Sequence, residues 1–495
     1  MAVTLLVGVW TSRLILNALG FVDNGLYNVV GGFVGFFAIV TSSQSVAISR
    51  FLTFRIGTGD NEKLNIVFQN SLTLQVILSI VVLILAETVG LWFLNTQLVF
   101  PADRTLEVNI IYQLSVATFI LGILSVSQNA LIIAHERMNV YALVSIASIL
   151  IKLTISLAVF YAPSNRLILY ALLLFGEGLA TRIFYAIYSR RKFPECKYKF
   201  RYDPKLMKEM FGFAGWNFIG NSAAILRASG ISVLLNIFGG PVANTINGIT
   251  YQFTTLVSLF VSDFTTAFKP QIIKKYAAAE YSELIIFLYR CCRFSFLLMT
   301  LMAVPVFFSV DFILVVWLKE VPVLTNIFIQ IAIVYALVEC ISQPLITAKN
   351  ATGQIRVYQI VVGGILLLTL PLAYAFLKLG LPIYYAYVAV FLTSFIAFIA
   401  RLYMLKGGIP YWSSLDFIVR VVLPCLGTLV LCSSLPVVLK YSGWMEGWPL
   451  LTVSFVWTLA VIVFIGCNRN ERAFIASSLM TSLGIKKKAV VQSIN

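Results

Sequence analysis

The chain is a succession of apolar blocks about as long as a bilayer is thick. Fourteen can be marked, approximately at residues 2–20, 26–49, 67–94, 110–134, 138–162, 166–188, 212–238, 242–268, 287–318, 323–348, 355–377, 382–405, 417–439 and 447–467. Turn-forming stretches such as Phe-Pro-Ala-Asp-Arg (100–104) and Gly-Gly-Pro (239–241) separate them. A helix needs about 20 apolar residues to cross a hydrocarbon core of roughly 30 Å. Backbone polar groups in lipid must be paired within their own segment, so each block is expected to be a helix. Of the 495 residues, 60% are hydrophobic and 11% charged, where a soluble domain carries about 25% charged. That balance excludes a soluble enzyme, a disordered chain and a nucleic-acid-binding module. The expected fold is all-α, a polytopic membrane protein of about fourteen transmembrane helices.

The basic residues test the count. With the N-terminus placed in the cytoplasm, 24 lysines and arginines, Arg50, Lys269 and Arg401 among them, fall in inner loops and 5 in outer loops. This is the positive-inside pattern, and adding or losing one span would scramble it. An even number of spans with both termini cytoplasmic follows. The inner basic loops also attract anionic lipid headgroups. Met1-Ala-Val-Thr lacks the basic start of a secretory signal, so the first block reads as a retained span. Seven cysteines without regular spacing make no disulfide framework, and a single histidine, His135, argues against a histidine metal site. No metal and no cofactor are expected. No Gly-rich nucleotide loop is present, which argues against direct drive by ATP.

The longest and most basic inner loop, Ser189–Met210, divides the chain. The division expected is a six-helix lobe over 1–188, a basic cytoplasmic linker over 189–211, a second six-helix lobe over 212–405, and two further helices with a cytoplasmic tail over 406–495. Shifting the sequence by 220 aligns Gly20, Val22, Asn24 and Phe33 with Gly240, Val242, Asn244 and Phe253. Spans one and seven start on the same side, so the repeat is parallel. Such repeats occur in transporters that rock two lobes about a midplane site.

The stretches Val9-Trp-Thr-Ser-Arg13-Leu-Ile-Leu-Asn17-Ala-Leu-Gly20, Asp23-Asn-Gly-Leu-Tyr27 and Arg50-Phe-Leu-Thr-Phe-Arg55-Ile-Gly-Thr-Gly59-Asp60 resemble the start of bacterial polysaccharide flippases of the Wzx type. These belong to the multidrug/oligosaccharidyl-lipid/polysaccharide (MOP) exporter superfamily, whose members have 12–14 helices in two six-helix lobes. Such proteins carry a basic segment before the first span; here Met1 stands almost inside it. The resemblance implies a transporter, not an enzyme. It would sit in the bacterial inner membrane and move an undecaprenyl-diphosphate-linked oligosaccharide between leaflets, with other polysaccharide-assembly proteins as partners.

A diphosphate needs cations on a wet path, and a guanidinium fork holds two oxygens at once. Arg13 lies roughly 16 Å into span one and Arg227 roughly 22 Å into span seven, counting 1.5 Å per residue. Charges at such depth usually face a cavity or a partner. Arg13 and Arg227 are therefore candidates for binding substrate, against the alternative of a structural ion pair. Lys152 and Glu177 are also deep, on antiparallel neighbours, and are read either as a salt bridge or as a substrate and coupling pair. Glu339 has no evident local partner in the sequence. A dry, unpaired carboxyl is a candidate for proton coupling; a hydrogen-bonded carboxylate at a helix interface is the competing reading. Asn17, Asn24, Asn28, Asn217 and Asn221 are candidates to line a sugar path or to hydrogen-bond between helices.

Two rival functions stand beside the flippase. A multidrug exporter of the same superfamily would favour cationic drugs and so need acidic cavity residues, which Arg13 and Arg227 oppose. A membrane polymerase or glycosyltransferase would need a sizeable outer loop with catalytic residues. The longest outer loop, Asn95–Asn109, has no acid–base constellation.

Overall fold

The computed structural model describes residues 38–96, 104–163, 165–196, 203–318 and 321–466, with 11, 14, 15, 17–19, 23 and 27; side chains are not described at 38–40, 241, 260 and 263. Among the described residues there are long helices and no strand. In chain order they are α1 (Ala38–Gly57), α2 (Asn61–Thr96), α3 (Thr105–Ala134), α4 (Met138–Tyr161) and α5 (Arg166–Lys192). Then come α6 (Pro204–Gly240), α7 (241–277), α8 (Tyr281–Leu318), α9 (Thr325–Thr352), α10 (Arg356–Lys378) and α11 (Tyr385–Leu405). The chain ends its described part with α12 (Ser414–Tyr441) and α13 (Gly447–Gly466). Eleven of these are long and apolar enough to cross a membrane. The second to fourteenth expected spans each correspond to one helix, from α1 to α13. Span one lies mostly outside the described residues; Thr11, Leu14, Ile15 and Asn17–Leu19 within it are helical.

The helices outrun the apolar blocks at their basic ends, for local reasons. Asp60 caps α2 by accepting the backbone N–H of Lys63, so the helix begins at Asn61 instead of 67. Asp203 caps α6 by accepting from the N–H groups of Lys205 and Leu206, with Pro204 in the first turn. Caps of this kind satisfy donors that a helix start leaves unpaired. At the other polarity, Arg190, Arg191 and Lys192 close α5, where positive charge complements the helix dipole. Hydropathy sees none of this. The α6–α7 corner is made at Gly240, whose φ of +66° suits a residue without a side chain.

The packing sorts the helices into two bundles. In the first, α3 packs against α1, α2 and α5, and α4 against α5. In the second, α9 is central, touching α8, α11 and the α6–α7 pair, while α10 packs on α11 and α6–α7. The helix pair α12–α13 lies on α8, where Val461, Ile462 and Cys432 bury against Leu297, Val304 and Phe308. The bundles meet mainly where α1 runs along α6–α7. The end of the molecule rich in lysine and arginine is called the basic face below. There, the segment between α5 and α6 is tied to the first bundle. His135 stacks on Phe193 with ring centroids 4.5 Å apart, and its Nε2 lies 2.5 Å from a Glu195 carboxylate oxygen.

Candidate functional site

A cavity of about 390 Å³ lies between the bundles, in the half nearer the basic face. The first bundle contributes Ser45, Ser49 and Arg50 from α1 and Asn129 from α3; the second contributes side chains from α6, α7, α9, α10 and α11. Four cations line it, Arg50, Arg227, Lys269 and Arg401, against one carboxylate, Glu339. Positive charge held away from bulk water and short of counter-charge is a binding site for an anion.

Arg227 is the deepest candidate that the sequence singled out and the structure describes. Its Nη1 donates to the Ser394 hydroxyl at 3.0 Å and its Nη2 to the Tyr335 hydroxyl at 3.1 Å. The guanidinium carbon stands 5.5 Å from the centre of the Tyr335 ring. Neutral hydroxyls and an aromatic face orient the fork without cancelling its charge. No carboxylate pairs with it among the described residues.

Arg401 is the residue the sequence reading misplaced. Counted there as a loop charge that sets topology, it is 4% exposed inside α11. Its Nη1 stands 3.5 Å from a Glu339 carboxylate oxygen, and it shares a hydrogen bond with the Tyr358 hydroxyl. Glu339 therefore has a partner, and the premise of a lone carboxyl in a dry site is corrected. Among the described residues the buried Arg401 Nε has no hydrogen-bond partner, which leaves it a donor to offer. Arg50 was also assigned to a loop. It is held by the Phe51 and Phe213 rings at 4.7 and 5.2 Å and donates to the Ala351 carbonyl at 3.4 Å. Its buried Nε is likewise unpartnered. A second hollow of about 590 Å³ opens beside it and shares Arg50 and Tyr358 with the cavity. Lys208, Lys349 and Arg356 line that hollow with Glu209, and the Arg356 guanidinium lies 5.3 Å from the Trp216 ring.

The other candidates divide. Asn217 and Asn221 line the cavity, and both also bond between helices. Gln359 donates to the Asn217 side-chain carbonyl at 3.2 Å, and Asn221 donates across the bundles to the Ser43 hydroxyl at 3.0 Å. Asn17 is exposed, away from these contacts. Lys152 is exposed on α4, while Glu177 on α5 accepts the Ser148 hydroxyl. The Lys152–Glu177 ion pair, one of the two readings of these residues, is not formed; Ser148, one turn before Lys152, donates to the Glu177 carboxylate. Neither residue borders this cavity. Arg13, Asn24 and Asn28 lie outside the described residues. Lys269, Arg50 and Arg401 were missed because they sit at or near the inner ends of spans, where a cation needs no special reason. The one available signal was that Arg401 falls within the block 382–405 itself.

Two helical bundles around a cationic chamber, in a chain with eleven described helices long and apolar enough to cross a membrane, make a multi-pass membrane protein with the fold of a transporter. Solved structures agree on the fold. A MATE transporter in complex with MaL6 superposes with a TM-score of 0.69 at 12% identity, covering 82% of this chain and 95% of that one. A MOP superfamily transporter from Pyrococcus furiosus Vc1, described as having a binding pocket of reverse polarity that suggests a different function, gives 0.64 at 13% identity, covering 82% and 94%. The chain belongs to the polysaccharide biosynthesis protein family, whose model matches residues 3–275. It is also similar to the uncharacterized membrane protein EpsK of Bacillus subtilis (strain 168), 21% identical over 298 residues, which are 60% of this chain. The chain spans 58% of the length of that relative. The expected kinship is met by the match to the polysaccharide biosynthesis family, and the expected fold is shared with the MATE and MOP superfamily structures.

Proposed function

We propose that this transporter moves a polyprenyl-diphosphate-linked oligosaccharide across the bacterial inner membrane by alternating access, with both termini in the cytoplasm. The single observation that carries the reading is the charge of the inter-bundle cavity, four cations around one carboxylate. The lipid tail stays in the bilayer and needs no protein path. The diphosphate carries the negative charge that Arg227, Arg401, Lys269 and Arg50 are placed to meet. Arg227 is the first contact by this reading, since its fork is oriented by Tyr335 and Ser394 and not neutralised. The basic hollow at Lys208, Lys349 and Arg356 serves as the cytoplasmic approach. Rocking of the bundle 38–188 against 212–405 then exposes the headgroup on the far side, while α12–α13 ride on α8. Family membership in polysaccharide biosynthesis supports a glycan cargo. A cavity with one carboxylate is ill suited to an exporter of cationic drugs. In the described part of the Asn95–Asn109 loop, Arg104 pairs with Glu107 at 2.6 Å and with Asp23 at 3.2 Å, which supports a structural role for these charges over an acid–base one.

The test is headgroup translocation in reconstituted vesicles carrying undecaprenyl-diphosphate-linked oligosaccharide. Wild-type protein should move it, and Arg227→Ala and Arg13→Ala should each slow it. Full transport by both correctly folded variants would overturn the assigned roles of these arginines. No transport by the wild type would overturn the substrate.

A further inference from the structure

A second cavity, of about 380 Å³, lies on the other side of Arg227 within the second bundle. That volume is in the range of small-ligand pockets, about 300–1,000 Å³. Its lining is unlike that of the cationic cavity. Arg227 lines it; the rest is hydroxyl, amide, aromatic and aliphatic. Among the described residues no other ionised group lines it.

One face of α7 supplies most of the polar groups. Asn247, Tyr251, Thr255, Ser258 and Ser262 recur every three or four residues and so share a face, and all five border this cavity. The same face continues through Thr266 and Lys269 into the cationic cavity. From Asn247 to Lys269 it runs roughly 33 Å at 1.5 Å per residue, about the thickness of the hydrocarbon core.

The hydroxyls of α7 fall into two groups. Thr250, Thr265 and Thr266 donate to carbonyls of their own helix at 2.8, 2.9 and 2.9 Å, and Thr254 donates to the Thr250 carbonyl. That is how a hydroxyl in an apolar setting is usually satisfied. Tyr251, Thr255, Ser258 and Ser262, all on the cavity face, make no hydrogen bond within the protein among the described residues. Polar groups left unpaired at membrane depth are costly unless water or a ligand meets them. Opposite stand Tyr335, whose hydroxyl accepts from Arg227, and Tyr387, whose hydroxyl donates to Asn247 at 2.8 Å. Both tyrosines line the cavity.

We infer that this cavity is a subsite for uncharged sugar units, and that Arg227 marks the junction between diphosphate and glycan. The inference rests on the proposed transport of a diphosphate-linked oligosaccharide and adds where its two chemically different parts are held. The cationic cavity takes the anion; the hydroxyl face of α7 takes successive sugar hydroxyls as the headgroup passes. Because its groups are neutral and each donates or accepts, the subsite reads the presence of hydroxyls and not a charge pattern.

The experiment compares two cargoes in reconstituted vesicles, undecaprenyl-diphosphate bearing one sugar and the same lipid bearing a neutral tetrasaccharide. The variant is T255V/S258A/S262A, which removes three hydroxyls from the cavity face. Hydrogen bonds of this kind are each worth a several-fold effect, so tetrasaccharide transport should fall at least about tenfold. The one-sugar lipid, which reaches only the hydroxyls nearest Arg227, should lose less, by several-fold at most. The hydroxyl-preserving variant T255S/S258T/S262T should restore tetrasaccharide transport. Equal loss for both cargoes, no loss for either, or failure of the hydroxyl-preserving variant to recover would each overturn the subsite and leave the transport reading standing. A wild-type protein that moves neither cargo would remove that reading, and the subsite with it.

Discussion

Gly57 at the end of α1 meets Lys274 of α7 backbone to backbone: a Cβ on Gly57 would lie 2.8 Å from the Lys274 Cα. The contact joins the two bundles at the basic face. Beside it, the Lys274 ammonium pairs with Glu136 at 2.7 Å, and Gln271 donates to the same carboxylate at 3.2 Å. The inter-bundle seam at this face is thus a close approach of main chains locked by one ion pair.

Gly57→Val should wedge that seam apart. A distance under 3 Å to a backbone carbon cannot be relieved by turning a side chain, so α1 or α7 must shift. The cavity-lining position Ser49 should then become easier to reach from the basic side. A cysteine placed there should react several-fold faster with a membrane-impermeant maleimide in the Gly57→Val background. The cysteines in the described residues are buried, which keeps background labelling low. An unchanged rate in folded protein would show that the seam does not control access.

The Glu339–Arg401 pair predicts an asymmetric cost. Arg401 is 4% exposed and reaches Glu339 across 3.5 Å. Removing one member of a buried pair strands the other charge, typically at about 3–5 kcal/mol, whereas replacing both is often close to neutral. Arg401→Met alone strands Glu339, which is 26% exposed at the cavity, and should therefore destabilise by less than the roughly 3 kcal/mol of a fully buried pair. Arg401→Met with Glu339→Gln should recover much of the loss. Unfolding midpoints in detergent test this. The same variants bear on energy coupling, because Glu339→Gln should uncouple transport from an imposed pH gradient only if that carboxylate exchanges protons despite its arginine.

Most of the architecture was legible because the bilayer imposes it. Block length and the sidedness of lysine and arginine depend on single positions and need no tertiary contact. That logic places each of α2 to α13, with ends off by as many as nine residues. It fails at their ends, where Asp60 and Asp203 start helices by capping. The site was less legible, because depth along a span does not say which way a side chain faces. Arg227 was found by depth, since no topological reason puts a cation there. Arg401 and Arg50 were hidden by the very rule that worked for the loops. Glu177 and Lys152 were deep and still irrelevant to the cavity, because rotation about the helix axis and a serine at 148 decide their contacts.

The Glu136–Lys274 lock has a defined pH range. Burial alone would raise the Glu136 carboxyl, but hydrogen bonds from Lys274 and Gln271 outweigh it and hold the group below its ordinary value of 4.5. A depressed folded value means that the stabilisation is complete above the ordinary value and is lost only as pH falls through the lower one. Between about pH 5.5 and 8 this seam should therefore show no titration. Labelling of a cysteine at Ser49 should be flat over that range in the pH-corrected rate. A rise within that range would show that the Glu136–Lys274 pair does not control the seam.

Charge and shape at Arg227 can be separated. The guanidinium bonds Ser394 and Tyr335 through different nitrogens, at 3.0 and 3.1 Å, so its plane is fixed by two neighbours. Lysine keeps the charge but offers a compact ammonium on a flexible stem, without the fork. If the cavity acts only as a positive field, Arg227→Lys should transport like wild type. If a planar fork grips two phosphate oxygens, Arg227→Lys should lose roughly tenfold in rate, as expected for one charge-assisted hydrogen bond. Arg227→Gln should lose more, because field and fork both go. Tyr335→Phe with Ser394→Ala keeps the guanidinium and frees its plane, so it should fall between wild type and Arg227→Lys. The oriented fork predicts this order: wild type, Tyr335→Phe/Ser394→Ala, Arg227→Lys, Arg227→Gln. Transport by Arg227→Lys at or above that of the double variant would refute it.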